Sequence, residues 1–369
     1  MSKKDRRIVF VKKGVADFEE YELGEPKENE VLIAVKAQLL NTGTELANLT
    51  GITKVIADGE ETYPIRPGGS SAGEVIQVGK GVTDLKVGDR VVGSGRHAAR
   101  NILRREEIQR IPDGVSFEEA AFAKLCIVAT QGIRIGQPEL GEVVVVIGAG
   151  IIGALAMQFA AMCGAGMVVA VDLSPNRLKM VRELGADETI NPSETDVLDA
   201  VRRLTDGEMA DLVIEATGNP KVFPMALKLA RERGRIVALG SPRGNVPELD
   251  LYTELHSKGL ILLGAHYMTH PAVATPYNKW TSARDTRLVL ELLRKKKIPV
   301  VQMITHRFPI AKATEAYRML LADRTQALGV IFKEPAMPLA TWSFHDGGVR
   351  SPATSQSALP ANVYPAASQ

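Results

Sequence analysis

Cysteine is nearly absent from this chain: Cys126 and Cys163 are the only two in 369 residues. Both lie in apolar stretches, which points to buried thiols in a reducing compartment and excludes a disulfide framework. An excess of charge of either sign is missing too. With 45 Lys and Arg against 43 Asp and Glu the net charge is +2, and the basic clusters Lys3 to Arg7 and Arg294 to Lys297 are short. No nucleic-acid partner is expected of such a surface. No long apolar region follows the charged start MSKKDRRIVF, so no secretory signal is evident and a cytoplasmic location is expected. No internal repeat is present. The one long uncharged run, Val143 to Val171, would pass for a membrane span on hydropathy alone. Its five glycines, its change of period and its lack of interfacial aromatics or flanking basic clusters exclude that, and no membrane partner is expected. At 45% hydrophobic and 24% charged, the chain has the composition of a soluble globular protein long enough for two domains.

What the uncharged run does contain is strand, glycine turn, helix and second strand. Val143 to Ile147 is a β-branched run suited to a buried parallel strand. Gly148, Gly150 and Gly153 then form G-x-G-x-x-G: the first for a tight turn, the second for close approach to a pyrophosphate, the third for helix packing on the strand. Ile151 and Ile152 open the helix, whose N-terminus faces the phosphate charge. Asp172 ends the second strand, where a carboxylate accepts both ribose hydroxyls of an adenosine and repels a 2′-phosphate. NAD is therefore expected over NADP.

Around this unit the pattern changes twice. The first third reads as short strands, Arg7 to Lys12, Glu30 to Leu40, Gly73 to Val78 and Asp89 to Gly93, broken by Gly, Pro and Asp. From about Leu140, apolar strands at Val143, Met167, Asp211, Gly234 and Leu260 alternate with helical segments, predicting a doubly wound parallel sheet in an α/β protein. After Ile298 the chain is expected to return to the first domain, with a capped helix over Lys312 to Ala322 after Pro309 and a last strand at Ala327 to Phe332. The expected division is 1–135, 136–298 and 299–334, with 335–369, rich in Pro, Ser and Ala, as a mobile tail that Trp342 and Phe344 could tether.

Several motifs in this order carry a resemblance: NTGTELANLTG at 41–51, PGGSSAGEV at 67–75, VGKGVTDLKVGDRV at 78–91, HAAR at 97–100, IPDGVSFEEAAF at 111–122, the glycine unit, DLVIEATG at 211–218 and GRIVALG at 234–240. Over roughly Val9 to Lys333 the chain resembles the medium-chain dehydrogenase/reductase superfamily, the zinc alcohol and polyol dehydrogenase group. The resemblance implies a GroES-like, mainly β catalytic domain beside a Rossmann domain, and adds Thr217, Gly240 and Ala265 to the cofactor contacts. It places Arg177 over the adenine; a 2′-phosphate contact is the other reading of that residue. It also implies a homodimer or homotetramer whose edge is the strand near Leu260 to Gly264.

The departures from the family bear on mechanism. Where zinc members have Cys-Gly-Thr-Asp this chain has Thr42-Gly43-Thr44-Glu45, and their Gly-His-Glu is Gly68-Gly69-Ser70. The ligand or carboxylate that follows the Glu-Glu-Ala-Ala-Phe segment is Lys124. Two distant cysteines cannot form the structural four-cysteine site. No metal is expected, and the TGTE pattern is similar to the zinc-free branch that includes bacteriochlorophyllide-type dehydrogenases. Without zinc, hydride transfer still needs a proton acceptor and a stabiliser of the alkoxide. Thr44 keeps the relay hydroxyl. Lys124 is a candidate cation or base, or else a surface lysine paired with Glu118 or Glu119. Glu45 is a catalytic candidate beside Thr44, with a structural hydrogen-bonding role as the other reading. Ser70, His97, His266, Tyr267 and His270 are candidate substrate contacts; the last three lie on an unusual polar and aromatic loop, 264–285, which lines either the substrate mouth or a subunit interface.

The function expected is zinc-independent, NAD-dependent hydride transfer at a secondary alcohol or ketone of a small polar substrate such as a sugar, cyclitol or polyol. The alternatives are a quinone or enoyl reductase of the same fold, and an NAD-binding redox sensor without turnover.

Overall fold

The computed structural model describes residues 3–52, 63–246, 249–271 and 273–333. The expected mobile tail, with Trp342 and Phe344, lies outside the described residues. The chain opens with β1 (Lys3–Lys12) and β2 (Val15–Leu23), an antiparallel pair, then β3 (Glu30–Leu39), α1 (Thr42–Leu49), β4 (Gly68–Val78), β5 (Arg90–Arg96), β6 (Arg100–Arg104), β7 (Gln109–Arg110) and α2 (Phe117–Ala120). Then come α3 (Ala123–Gly136), β8 (Val143–Ile147), α4 (Ile151–Met162), β9 (Met167–Val171), α5 (Pro175–Glu183), β10 (Glu188–Ile190), α6 (Val197–Leu204), β11 (Ala210–Glu215), α7 (Phe223–Leu229), β12 (Ala230–Ala238) and β13 (Ile261–Gly264). α8 (Ser282–Arg294), β14 (Ile304–Phe308), α9 (Ala313–Ala322) and β15 (Gly329–Lys333) complete it.

The six-stranded sheet is parallel, in the order β10-β9-β8-β11-β12-β13, so the strand order reverses between β8 and β11. Its strands are buried on both faces, as continuous Val and Ile runs require. Val144 and Val146 of β8 join one core cluster with Val168 and Ala170 of β9, while Val145 and Ile147 join another with Val169 and Val171. The uncharged run 143–171 is thus strand, helix and strand, and no described helix is long and apolar enough to cross a membrane. The second sheet runs β14-β15-β3-β4-β5-β7, with β6 also on β3, so strands from the end of the chain extend a sheet begun near its start.

The differences from expectation have local causes. α1 interrupts the all-β first third, capped by Asn41, whose Oδ1 accepts from the Thr44 N–H. α9 has no side-chain cap, because Lys312 precedes it and a 3-10 turn over Ile310–Lys312 leads in instead. Cys126 is buried, but Cys163 is exposed: it terminates α4 at the solvent end of the turn into β9.

α3 joins the two sheets. Phe122 and Leu125 share a core with Leu39 and Ala72 of the second sheet, while Gly132 and Gly136 bring the helix close to Leu239 and Val237 of the first. Going from Gly136 back to Gly132, α3 runs toward the carboxyl end of β12. Its first turn therefore lies beyond that end, about 12 Å along the axis from Gly132. Residues there face the crevice where α/β sheets bind ligands.

Candidate active site

The dinucleotide end of this crevice is built as the glycine spacing requires. Gly148 has φ +101°, and a Cβ there would lie 2.8 Å from Thr217 Cγ2. A Cβ on Gly153 would meet the Gly148 carbonyl at 1.8 Å, whereas beside Gly150 there is open space. Ile151 and Ile152 form the first turn of α4, which has no side-chain cap, so its leading N–H groups remain available to an anion. Asp172 accepts from the Ala149 N–H at 2.7 Å through Oδ2 and from the Ser174 N–H at 2.8 Å through Oδ1. Each oxygen keeps a lone pair for a ribose hydroxyl. Gly240 lies against Gly218, with 2.3 Å between a built Cβ and the Gly218 nitrogen. Ala265 is buried just past β13, its N–H on the Ala238 carbonyl at 3.0 Å.

Arg177 is tied to the chain leading into β15. Its Nη2 donates to the carbonyls of Arg324 (2.6 Å) and Ala327 (3.1 Å), and Asn176 and Ser174 bond to the same segment. The guanidinium thus joins the β9–α5 turn to the chain leading into β15. Sequence reasoning also passed over Glu215, fully buried at the end of β11. It accepts from the Thr217 N–H at 2.7 Å, the Thr217 hydroxyl and the Gly218 N–H, and so shapes the turn that meets Gly148. Burial pushes its pKa up, against the pull of those bonds.

At the other end of the crevice the candidates divide. Thr44 is partly exposed on the first turn of α1, and its hydroxyl has no hydrogen-bond partner among the described residues. Glu45, beside it in sequence, is enclosed at 2% exposure, with the partners of a structural hydrogen-bonding residue. Its carboxylate accepts from the Asn41 N–H (2.8 Å), the Tyr317 hydroxyl (2.5 Å) and His97 Nε2 (3.1 Å). His97 is fully buried against Phe332, so it has no surface for substrate to meet in this structure. Ser70 is buried on β4 opposite Leu39, on the face that packs toward α2 and α3, and its Oγ lacks a partner among the described residues.

Lys124 and Tyr267, proposed for different reasons, come together. The Lys124 ammonium sits 4.2 Å from the Tyr267 ring centroid, a cation–π contact. The carboxylates that could have claimed it are engaged elsewhere: Glu118 with Arg307 and Lys333, Glu119 with Lys296. Lys124 is paired with no carboxylate among the described residues. Burial lowers its pKa, with Glu107 pulling weakly the other way.

The loop carrying Tyr267 is anchored. His266 is exposed beside Tyr267, its Nδ1 facing the Met268 N–H. His270 is turned inward, Nδ1 to the Tyr267 carbonyl (2.6 Å) and Nε2 to Asp285 (3.2 Å), so the two histidines take separate partners and form no pair. Asp285, fully buried in the first turn of α8, also binds Arg134 at 2.5 Å, and that guanidinium stacks 3.3 Å from the Trp280 centroid. Burial alone would raise the Asp285 pKa, but His270 and Arg134 together hold it below the ordinary value. Asp285→Asn is expected to destabilise the protein by about 3–5 kcal/mol in urea unfolding at neutral pH, because Arg134 loses its buried counter-charge. The unfolded chain binds the Asp285 proton at higher pH than the folded one, so this contribution is complete above the ordinary carboxylate pKa of 3.8. It is lost as pH falls through the lower folded value. Unchanged urea midpoints in the variant would show that the anchor carries no stability.

A parallel sheet whose switch point offers a glycine turn and a carboxylate suited to a ribose, joined to a β-sheet whose residues face the same crevice, defines a nicotinamide-dependent oxidoreductase. Comparison with known proteins agrees. Residues 27–135 match the alcohol dehydrogenase GroES-like domain and 152–283 the zinc-binding dehydrogenase family. The chain is 30% identical to the quinone oxidoreductase of Pseudomonas aeruginosa, over 88% of this chain and 99% of that one. It is 27% identical to the D-guloside 3-dehydrogenase of Escherichia coli (strain K12), over 89% of this chain and 100% of the relative. The galactitol-1-phosphate dehydrogenase of Escherichia coli shares the fold at a TM-score of 0.77 and 22% identity, covering 89% of this chain and 100% of that one. The chain belongs to the medium-chain dehydrogenase/reductase superfamily, of the zinc-type alcohol dehydrogenase-like kind.

The resemblance puts Thr42, Gly69 and Lys124, a hydroxyl, a glycine and an ammonium, at the positions where zinc members of the family carry their catalytic ligands. Among the described residues no group of three or more His, Cys, Asp or Glu could hold a metal ion.

Proposed function

We propose that this protein is a zinc-independent, NAD-dependent dehydrogenase acting on a secondary alcohol of a polar, sugar-like substrate. The observation that carries the reading is Lys124, a largely buried ammonium without a carboxylate partner, held on Tyr267 beyond the carboxyl end of β12. NAD would supply the hydride acceptor for the alcohol carbon, with Asp172 placed to hold its ribose and the first turn of α4 its pyrophosphate. Lys124, as the ammonium, stabilises the negative charge that develops on the substrate oxygen. The Thr44 hydroxyl, without a partner among the described residues, relays the alcohol proton, accepting it as its own proton passes to solvent. A sugar-like substrate is supported by the polar residues of the crevice and by the relative that acts on D-gulosides.

The test is alcohol-dependent NAD reduction by chelator-dialysed protein, with sugars, cyclitols and polyols beside quinones and enones with NADH or NADPH. Turnover of an alcohol after metal removal supports the proposal. Activity restored only by zinc, or confined to NADPH with a quinone or enone, overturns it and moves the chain toward its quinone-reducing relative. Asp172→Ser is expected to raise the KM for NAD by about 10- to 100-fold, the worth of a charged hydrogen-bonding partner, and to improve the use of NADP. An unaltered ratio of the two cofactors would remove Asp172 from the site.

A homodimer or homotetramer is proposed as well. β13 is one of the two edge strands of the parallel sheet, and its Ile261 and Leu262 are 50% and 46% exposed, an apolar edge that pairing with a second copy would cover.

A further inference from the structure

Arg243 has no role in the reading above. Several other partly buried arginines meet acids: Arg7 and Arg66 bind Glu19, Arg100 binds Asp5, Arg134 binds Asp285, and Arg235 binds Glu142, whereas Arg90 and Arg177 bond to backbone carbonyls of the fold. Arg243 is half-buried, yet its hydrogen bond runs only to the Gly43 carbonyl, at 3.4 Å, and no described carboxylate pairs with it. It leaves the carboxyl end of β12 just past Gly240 and crosses the crevice to the first turn of α1. There the N–H groups of Thr42 and Gly43 also lack partners among the described residues, and the free Thr44 hydroxyl is next in sequence. Lys124 adds a second unpaired cation to the crevice, and the buried Ser70 Oγ a further unpartnered donor on the sheet beside it.

The cofactor's phosphates do not account for Arg243. The pyrophosphate belongs to the turn after β8, two strands from β12 and so about 10 Å away across the sheet. A 2′-phosphate would lie a strand farther, after β9, on the side where Asp172 stands. The guanidinium reaches the first turn of α1, where it donates to the Gly43 carbonyl.

We infer that Arg243, with the first-turn N–H groups of α1, binds an anionic group of the substrate, so that the polar alcohol oxidised is a sugar phosphate or a sugar acid. This inference rests on the dehydrogenase reading. Its test compares matched alcohols with the full chain and NAD: sorbitol with sorbitol 6-phosphate and gluconate, glucose with glucose 6-phosphate and glucuronate. A charged member is expected to exceed its neutral partner in kcat/KM. Arg243→Gln is expected to collapse that preference by about 10- to 100-fold, chiefly through KM, with Arg243→Lys restoring part of it. Preference for the phosphate or for the carboxylate tells the two sources of negative charge apart. A wild-type preference for the neutral member overturns the inference, and so does a preference that survives in Arg243→Gln. A loss that falls on the KM for NAD instead also overturns it, by giving the arginine to the cofactor. If no alcohol is turned over, the dehydrogenase reading fails, and calorimetric titration of inorganic phosphate into the NAD-saturated protein still decides the site. Binding lost in Arg243→Gln supports it, and binding absent from the wild type or equal in both proteins overturns it.

Discussion

Replacing Lys124 with methionine is expected to lower kcat/KM for the alcohol by about 100- to 1,000-fold, the effect of removing one preorganised donor from a developing oxyanion. Methionine keeps the apolar stem and the contact with Tyr267 while deleting the charge, so the thermal midpoint should stay near that of the parent. The ammonium is the working form in this account. It rests on an aromatic face, which favours the charged state, while burial draws its pKa below 10.5. In ketone reduction, kcat/KM should therefore fall as pH rises through that lowered value, and the limb should be missing from the methionine variant. If Lys124 acted instead as a neutral base in alcohol oxidation, the same titration would raise the rate with pH. A loss smaller than tenfold, or an alkaline limb that persists without the lysine, would remove Lys124 from the chemistry.

How much of this was legible in the sequence depended on how far apart the partners lie. The β8–α4–β9 unit could be read because its three periods, its glycines and Asp172 fall within 31 consecutive residues. β2, VADFEEYEL, was missed because it alternates with charged residues and stays only partly buried, so no apolar run marks it. α1 was hidden inside a motif read for chemistry, and only the Asn41 cap signals it. The site residues follow the same division. Lys124 and Tyr267 were each visible, but their contact depends on how α3 lies on β12. Arg243 reaches Gly43 across 200 residues, and Tyr317 reaches Glu45 across 272; no local pattern announces such partners. Glu215 did leave a local signal, since a carboxylate closing an otherwise apolar strand needs donors, and the Thr-Gly that follows supplies them.

Glu45→Ala is expected to be the most destabilising single change in the crevice region, at about 3–5 kcal/mol, without being a catalytic lesion. Among the described residues the carboxylate is the sole acceptor given to three donors on three parts of the chain: the Asn41 N–H that starts α1, His97 before β6, and the Tyr317 hydroxyl on α9. Tyr317 and His97 are both shut off from water, so the loss leaves two buried donors with nothing to bond. Tyr317 is held protonated, its pKa pushed well up by burial and by the carboxylate itself, and so it cannot relieve the loss by ionising. Glu45→Gln keeps one acceptor oxygen and places an amide donor among donors; its cost should be intermediate, about 1–3 kcal/mol. The two roles considered for Glu45 separate in this variant. A structural hub gives Glu45→Gln a lower urea midpoint but a kcat of the same order as the parent when assayed well below the transition. A proton acceptor gives a kcat collapse with the midpoint preserved, and that result would return Glu45 to the reaction and require the crevice to open to it.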